Sequence, residues 1–182
     1  MCLSGATQAV YGFLMLSSAI LTGIALFTPS WNTVKDNVQD PLNVNTSEWN
    51  GLMPWSCVKH SQGATCENWW KNLPGWMKCV VICMIISFAV SIVAVVYNCL
   101  TCMACCCKKN IIQPITFFAV VTSALLIVAL IIYAANWKDF KNGVDTNSQL
   151  GYSFWLAVGA TLLSLAAVVV GAVSVCLGEH CC

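Results

Sequence analysis

Four long stretches of the chain contain no Asp, Glu, Lys or Arg. They cover residues 1–34, 79–107, 110–137 and 146–178. Each is longer than the roughly 20 apolar residues that an α-helix needs to cross about 30 Å of hydrocarbon. A chain in lipid must satisfy its backbone hydrogen bonds internally, and these stretches are continuously apolar rather than alternating, so we predict helices and not a β-barrel. The sequence therefore predicts a membrane protein with four spans.

The composition supports this prediction and excludes two classes of protein. Hydrophobic residues make up 59% of the 182 residues, charged residues make up 8%, and the mean hydropathy is +0.78. A soluble domain of this composition would not stay in solution. The net charge of +1 provides no basic surface for nucleic acid. We therefore expect one compact membrane domain, an all-α bundle of four transmembrane helices in the lipid bilayer.

We expect the spans at residues 8–28, 76–99, 113–135 and 152–177. The loops between them cover residues 29–75, 100–112 and 136–151. A cleaved signal peptide at the start would leave only three helices. That alternative is disfavoured, because a signal peptide has a positive n-region and an apolar core of about 7–15 residues. Here the apolar run is far longer and the first charge is Lys35.

Modification signals predict the orientation of the bundle. The first loop contains a glycosylation sequon at Asn45 and two cysteines, Cys57 and Cys66, separated by eight residues as in a disulfide-closed hairpin. Both modifications require the lumen or the exterior. The lysines do not decide the orientation, since the first loop is long and mixes them with acidic residues. We expect this loop outside the plasma membrane and both termini in the cytosol.

Cysteines concentrate where the second and fourth spans would leave the membrane on the cytosolic side. Juxtamembrane cysteines beside lysines are candidates for S-palmitoylation. The candidates are Cys102, Cys105, Cys106, Cys107, Cys181 and Cys182. Unmodified thiols are one alternative, and the spacing of Cys99, Cys102 and Cys105 also occurs in iron–sulfur or zinc ligation. We favour acylation and expect no metal or cofactor, because His180 is the one histidine on that side.

The first loop holds most of the tryptophans. Six of the eight lie in it or at its edges, namely Trp31, Trp49, Trp55, Trp69, Trp70 and Trp76. An aromatic belt at the headgroup level is the simplest interpretation of Trp31 and Trp76. The other four, together with turn signals at Asn50-Gly51 and Gln62-Gly63, predict a small folded β-sheet. A Cys57–Cys66 disulfide would close about ten residues of it and contribute about 2–3 kcal/mol.

These residues resemble the first extracellular segment of the claudins, which carries a Trp, a Gly-Leu-Trp and two cysteines in that order. Trp31 resembles the first tryptophan, Gly51-Leu52 the Gly-Leu pair, and Cys57 with Cys66 the cysteine pair. The resemblance covers the whole chain, including the four spans, the loop lengths and the cysteines after the second and fourth spans. Residues 150–154 resemble the wider superfamily of claudins and peripheral myelin and epithelial membrane proteins.

Three features depart from the claudin pattern. Met53 stands where the motif has its second Trp, and Trp55 follows two residues later. The sequence contains no Arg, so the Arg that claudins usually carry near the second span can be matched only by Lys71 or Lys78. The tail ends in His180-Cys181-Cys182, which is not a typical C-terminal PDZ ligand. The chain looks like a divergent or invertebrate-type claudin-like protein.

The apolar stretches favour helix packing over transport. The four charge-free stretches also lack His, and ionisable residues mark ion pathways and proton relays in membranes. Small residues recur there at helix-contact spacing, which lets helices approach closely in lipid. They are Ala19 and Gly23 in the first span, Ala119 and Ser123 in the third, and Ala160, Ser164, Ala167 and Gly171 in the fourth. We interpret them as ordinary bundle packing in preference to a dimerisation face.

The resemblance implies that the outer surface carries the function. It implies a cell–cell junction protein that associates with itself in cis and in trans and forms or regulates a paracellular barrier or pore. The charges of the first loop nearly balance, which predicts weak selectivity. The charge-selectivity candidates are Lys35, Asp36, Asp40, Glu48, Lys59 and Glu67. The candidates for trans contacts are Trp137, Phe140 and Val144, and interfacial anchoring is the alternative for Trp137.

Two alternative functions keep a four-span fold. The first is an auxiliary subunit or adhesion protein that modulates other membrane proteins. The second is a membrane thiol–disulfide oxidoreductase, in which Cys79 and Cys83 would lie beneath the outer cysteine pair. Their x3 spacing differs from the C-x-x-C redox motif, so we expect no enzyme.

Overall fold

A computed structural model describes residues 2–28, 31–33, 52, 70–71, 73–103, 113–136 and 149–180. Within these residues the chain forms four long helices: α1 (Cys2–Phe27), α2 (Gly75–Met103), α3 (Gln113–Asn136) and α4 (Tyr152–His180). Two short strands accompany them, β1 (Asn32–Thr33) after α1 and β2 (Gln149–Leu150) before α4. The prediction of four long apolar helices is confirmed.

Each helix is long and apolar enough to cross a bilayer. The apolar segments are Ala6–Phe27, Gly75–Thr101, Pro114–Asn136 and Tyr152–Ser174. Pro114 is the second residue of α3, where proline is tolerated because the first N–H groups of a helix have no intrahelical partner. All four helices are therefore explained by long apolar runs that end in polar or glycine-containing segments.

The four helices pack as a closed bundle. Each helix packs against its neighbours in the chain, and α1 also packs along α4. Ring contacts between Trp76 and Tyr133 and between Tyr97 and Phe118 show that α2 and α3 run antiparallel. We call the end of the bundle that carries β1 and β2 the strand end. The opposite end, where α1 begins and α4 ends, is called the terminal end.

Large apolar side chains cover the outside of the bundle. Phe13, Phe117 and Leu162 are among the most exposed of them, as expected for side chains that face lipid. Small residues lie inside instead, and Ala119, Ala160 and Ala167 are fully buried. The interpretation of the small-residue stripes as bundle packing is therefore confirmed for these positions, since a buried residue cannot form a dimerisation face.

The apolar core consists of two clusters at different depths. The strand-end cluster includes Ala25, Met84, Leu126 and Phe154 among its buried members. The terminal-end cluster is smaller, with buried Tyr11, Met15, Ala94, Ile115, Ala119 and Ala167. Both clusters draw residues from all four helices, so each ties the whole bundle together.

The two strands form a short antiparallel pair at the strand end. Asn32 lies opposite Leu150, and Thr33 lies opposite Gln149. This pairing joins the start of the first loop to the end of the third. The predicted first-loop sheet and its Cys57–Cys66 disulfide lie outside the described residues.

Candidate functional site

Trp31 forms the centre of the strand end. It follows α1 by four residues, and its side chain is only 3% exposed. Its indole Nε1–H donates a hydrogen bond of 2.7 Å to the backbone oxygen of Ala25. Ala25 lies in the last turn of α1, where carbonyls have no intrahelical donor. The tryptophan therefore folds back over its own helix and caps it.

The backbone oxygen of Trp31 joins two further helices to this site. It accepts a hydrogen bond of 2.9 Å from the N–H of Gly151 and one of 3.3 Å from the hydroxyl of Tyr133. Gly151 directly precedes α4, and Tyr133 lies in the last turns of α3. A single residue thus connects the ends of α1 and α3 with the beginning of α4.

Aromatic rings surround the indole of Trp31. Its ring centroid lies 4.9 Å from that of Tyr133 and 6.5 Å from that of Phe154, both in edge-to-face geometry. Tyr133 is also 6.1 Å from the ring of Trp76 in α2. Such pairs contribute about 0.5–1.5 kcal/mol each beyond the area that they bury. We call the residues Trp31, Tyr133, Phe154 and Trp76 the aromatic junction, and it draws on all four helix ends.

The aromatic-belt interpretation of Trp31 is wrong. A belt tryptophan lies among the lipid headgroups, whereas Trp31 is enclosed by the helix ends. The physical reason is the Ala25 carbonyl, which offers the indole a buried hydrogen-bond acceptor. Trp76 is half-buried and contacts Tyr133, so it also contributes to packing.

Leu52 is the second residue of the claudin-like motif that the structure describes. It is 3% exposed and belongs to the strand-end cluster together with Trp31. The leucine of the Gly-Leu pair therefore packs against the helix bundle. An apolar residue buried this way adds about 1.5–3 kcal/mol of burial free energy and attaches the middle of the loop to the helices.

A hydroxyl pair and two lysines complete the strand end. The Thr28 and Ser153 hydroxyl oxygens lie 2.8 Å apart and join the end of α1 to the first turn of α4. Lys78, in the first turn of α2, donates a hydrogen bond of 3.4 Å from Nζ to the backbone oxygen of Lys71. Because an ammonium group requires a polar environment, this contact marks the boundary of the apolar region.

Most of the other predicted site residues lie outside the described residues. They are Gly51, Trp55, Cys57 and Cys66 of the motif, Lys35, Asp36, Asp40, Glu48, Lys59 and Glu67, the sequon residue Asn45, the contact candidates Trp137, Phe140 and Val144, and the cysteines Cys105, Cys106, Cys107, Cys181 and Cys182. Cys102 lies in the last turn of α2. The roles proposed for all of them stay predictions.

Three cysteines of α2 are free thiols. Cys79 and Cys99 are exposed, and Cys83 is half-buried one turn from Cys79. In the part of the chain that the structure describes, no group of three or more potential ligands could hold a metal ion.

Sequence reasoning missed Tyr133, Phe154 and Gly151 as partners of Trp31. The segment at 150–154 was recognised only as a family resemblance. Aromatic residues near the ends of the apolar stretches could have indicated these partners, but the sequence does not reveal which rings contact one another inside the bundle. The site is therefore a structural junction, in which the side chains contact one another. It fixes the positions at which the first and the last loop leave the membrane domain.

Comparison with known proteins agrees with this architecture. A family model described as a tight junction protein, claudin-like, matches residues 1–182, which is the whole chain. A search of curated proteins finds no significant match. The family is not one of enzymes. On the strength of the full-length match, the chain belongs to the claudin-like family of tight junction proteins.

Proposed function

We propose that this multi-pass membrane protein acts at cell–cell junctions, where its outer loops form or regulate a paracellular barrier or a weakly selective pore. The observation that carries the proposal is the aromatic junction. Trp31 and Leu52 attach the first loop to the bundle, and β1 pairs with β2 at the end of the last loop. The two loops are therefore held together at one end of four apolar helices, as a surface for contact between cells requires.

The orientation follows from the first loop. A sequon at Asn45 and the cysteines Cys57 and Cys66 place the strand end outside the cell in this proposal. The terminal end then faces the cytosol with the palmitoylation candidates. The disulfide between Cys57 and Cys66 would hold the outer sheet in shape.

Weak selectivity follows from the charges of the first loop. Three lysines, Lys35, Lys59 and Lys71, stand against four acidic residues between residues 32 and 75. Charges that line a narrow aqueous path select ions by their sign, and a nearly balanced set selects weakly. Self-association in cis would place these loops side by side, and Trp137, Phe140 and Val144 are the candidates for trans contacts.

The test is a charge reversal in a transfected epithelial layer. The double variant Asp36→Lys and Asp40→Lys should lower the ratio of cation to anion permeability, measured as a dilution potential. The ratio should fall by about fivefold or more, because one unit charge at 4 Å in water is worth about 1 kcal/mol and the two reversals change the charge of the loop by four units. Glu179→Lys at the terminal end is the control, since a cytosolic charge should leave the ratio unchanged. Unchanged dilution potentials in the double variant, with normal surface expression, would contradict a pore-lining role.

A second candidate function is an auxiliary subunit or adhesion protein. The sequon at Asn45 favours it, because a glycan there would hinder close lateral packing of the outer sheets. Freeze-fracture of cells that express the protein alone separates the two functions. Continuous intramembrane strands support junction building, and their absence at normal surface levels supports the auxiliary role.

A further inference from the structure

Buried Ser and Thr residues lie between the two apolar clusters of the bundle. Each helix contributes two of them, and all are buried. They are Ser18 and Thr22 of α1, Ser87 and Ser91 of α2, Thr122 and Ser123 of α3, and Thr161 and Ser164 of α4. We call this set the hydroxyl layer. Along every helix it lies between the residues of the strand-end cluster and those of the terminal-end cluster.

Six of these hydroxyls donate to a backbone carbonyl oxygen. Five donate to the preceding turn of their own helix, and Ser18 donates across to α4. The donor–acceptor pairs are Ser18 to Ala160, Thr22 to Ser18, Ser91 to Ser87, Ser123 to Ala119, Thr161 to Ala157 and Ser164 to Thr161. Bonding of this kind is how Ser and Thr usually satisfy their hydroxyl groups inside helices.

Ser87 and Thr122 are the exceptions in the layer. Both residues are 0% exposed, and neither hydroxyl has a hydrogen-bond partner among the described residues. A hydroxyl buried in an apolar environment without a partner is strongly unfavourable, and no bulk water reaches the middle of a bundle in lipid. Buried polar groups are almost always satisfied by protein or by ordered water.

The two unpartnered hydroxyls lie at similar depth on neighbouring helices. Ser87 follows Met84 by three residues and Thr122 precedes Leu126 by four, and both of these larger residues belong to the strand-end cluster. At a rise of about 1.5 Å per residue, the two hydroxyl-bearing residues lie about 4.5 Å and about 6 Å below that cluster. Helices α2 and α3 pack directly against each other. Ser87 and Thr122 thus lie at similar depth on two helices that pack directly against each other.

We propose that the hydroxyl layer is a buried water site, in which a water molecule accepts hydrogen bonds from Ser87 Oγ and Thr122 Oγ1. The remaining hydroxyls of the layer use their single hydrogen in the bonds above, so their lone pairs can accept the two hydrogens of the water. A buried water usually makes two to four such bonds. Ser and Thr are smaller than Met84 and Leu126 of the strand-end cluster, so the proposal places the water at a depth where the side chains are small.

The test uses the full-length protein in lipid nanodiscs with labelled threonine methyl groups. Magnetisation transfer from water to the Thr122 methyl should exceed that to the methyl groups of Thr22 and Thr161. These two are equally suitable controls for hydroxyl exchange, since they are buried but bonded to carbonyls. Ser87→Ala should reduce the Thr122 signal to the level of the controls. A Thr122 signal no stronger than the controls, or one that Ser87→Ala leaves unchanged, overturns the proposal.

A double-mutant cycle provides a second measurement. Ser87→Ala and Thr122→Val each remove one donor with little change in volume, so both variants should fold. We expect the unfolding equilibrium constants of the single and double variants to show a coupling of about threefold, the average size for interhelical polar pairs in membranes. Additive effects overturn the proposal. Coupling without the water signal also overturns it, because it would indicate a direct bond between the two hydroxyls.

Discussion

Replacing Trp31 by alanine should destabilise the bundle more than replacing any tryptophan on its surface. The substitution removes the indole from a fully enclosed position between Tyr133 and Phe154. It also leaves the Ala25 carbonyl oxygen without its donor. A Trp-to-Ala change in a core costs about 3–5 kcal/mol. The lost hydrogen bond is part of that cost, because an unpaired buried acceptor costs about 1–3 kcal/mol.

Two further variants separate the contributions. Trp31→Phe keeps an aromatic ring but removes the N–H, so it should cost about 1–3 kcal/mol. Trp155→Ala is the matched control, because Trp155 lies near the same end of the bundle and is 61% exposed. Its removal should cost no more than about 0.5 kcal/mol, as for surface substitutions elsewhere.

The assay is thermal unfolding of the purified protein in detergent, followed by circular dichroism. A domain of this size shifts its midpoint by about 2–4 °C per kcal/mol, so Trp31→Ala should lower it by roughly 10 °C. Trp155→Ala should lower it by no more than about 2 °C. Equal shifts for the two alanine variants would refute the reasoning, since they would mean that the burial of Trp31 contributes nothing to stability.

Two other predictions concern close contacts and the outer loop. Gly12→Ala should destabilise the α1–α2 contact by about 1–2 kcal/mol, because its Cβ would collide with Nδ2 of Asn98, which would then lose its hydrogen bond to the backbone oxygen of Gln8. Gly159→Ala should be neutral, since its Cβ would meet only a side-chain carbon at 3.6 Å; equal midpoints for the two variants would contradict this. Cys57→Ser and Cys66→Ser should each lower stability by about 2–3 kcal/mol, with no further loss when combined. Additive losses, measured in the same unfolding assay, would mean that the two cysteines are not paired.

The aromatic junction illustrates what sequence reasoning reached and what it missed. Trp31, Gly51 and Leu52 were recognised because their order and spacing resemble a family motif. The burial of Trp31 was not recognised. A tryptophan just after a membrane span fits an aromatic belt and a buried position equally well, so the sequence does not distinguish the two. Only the path of the chain after α1 decides between them, since it brings the indole back to the Ala25 carbonyl oxygen.

The sequence by itself determined the four helices, because long segments without charge can satisfy their backbone only as helices in lipid. It also indicated which small residues would pack inside, since Ala and Gly at helix-contact spacing permit close approach. The tertiary structure decided which hydroxyl groups beyond Ser123 and Ser164 lie inside and which of them have partners. Apolar residues occupy both faces of each helix, so apart from the small-residue stripes the sequence gives little sign of the inward face. That face is chosen by packing between helices, and packing is what buries Ser87 and Thr122 without a hydrogen-bond partner among the described residues.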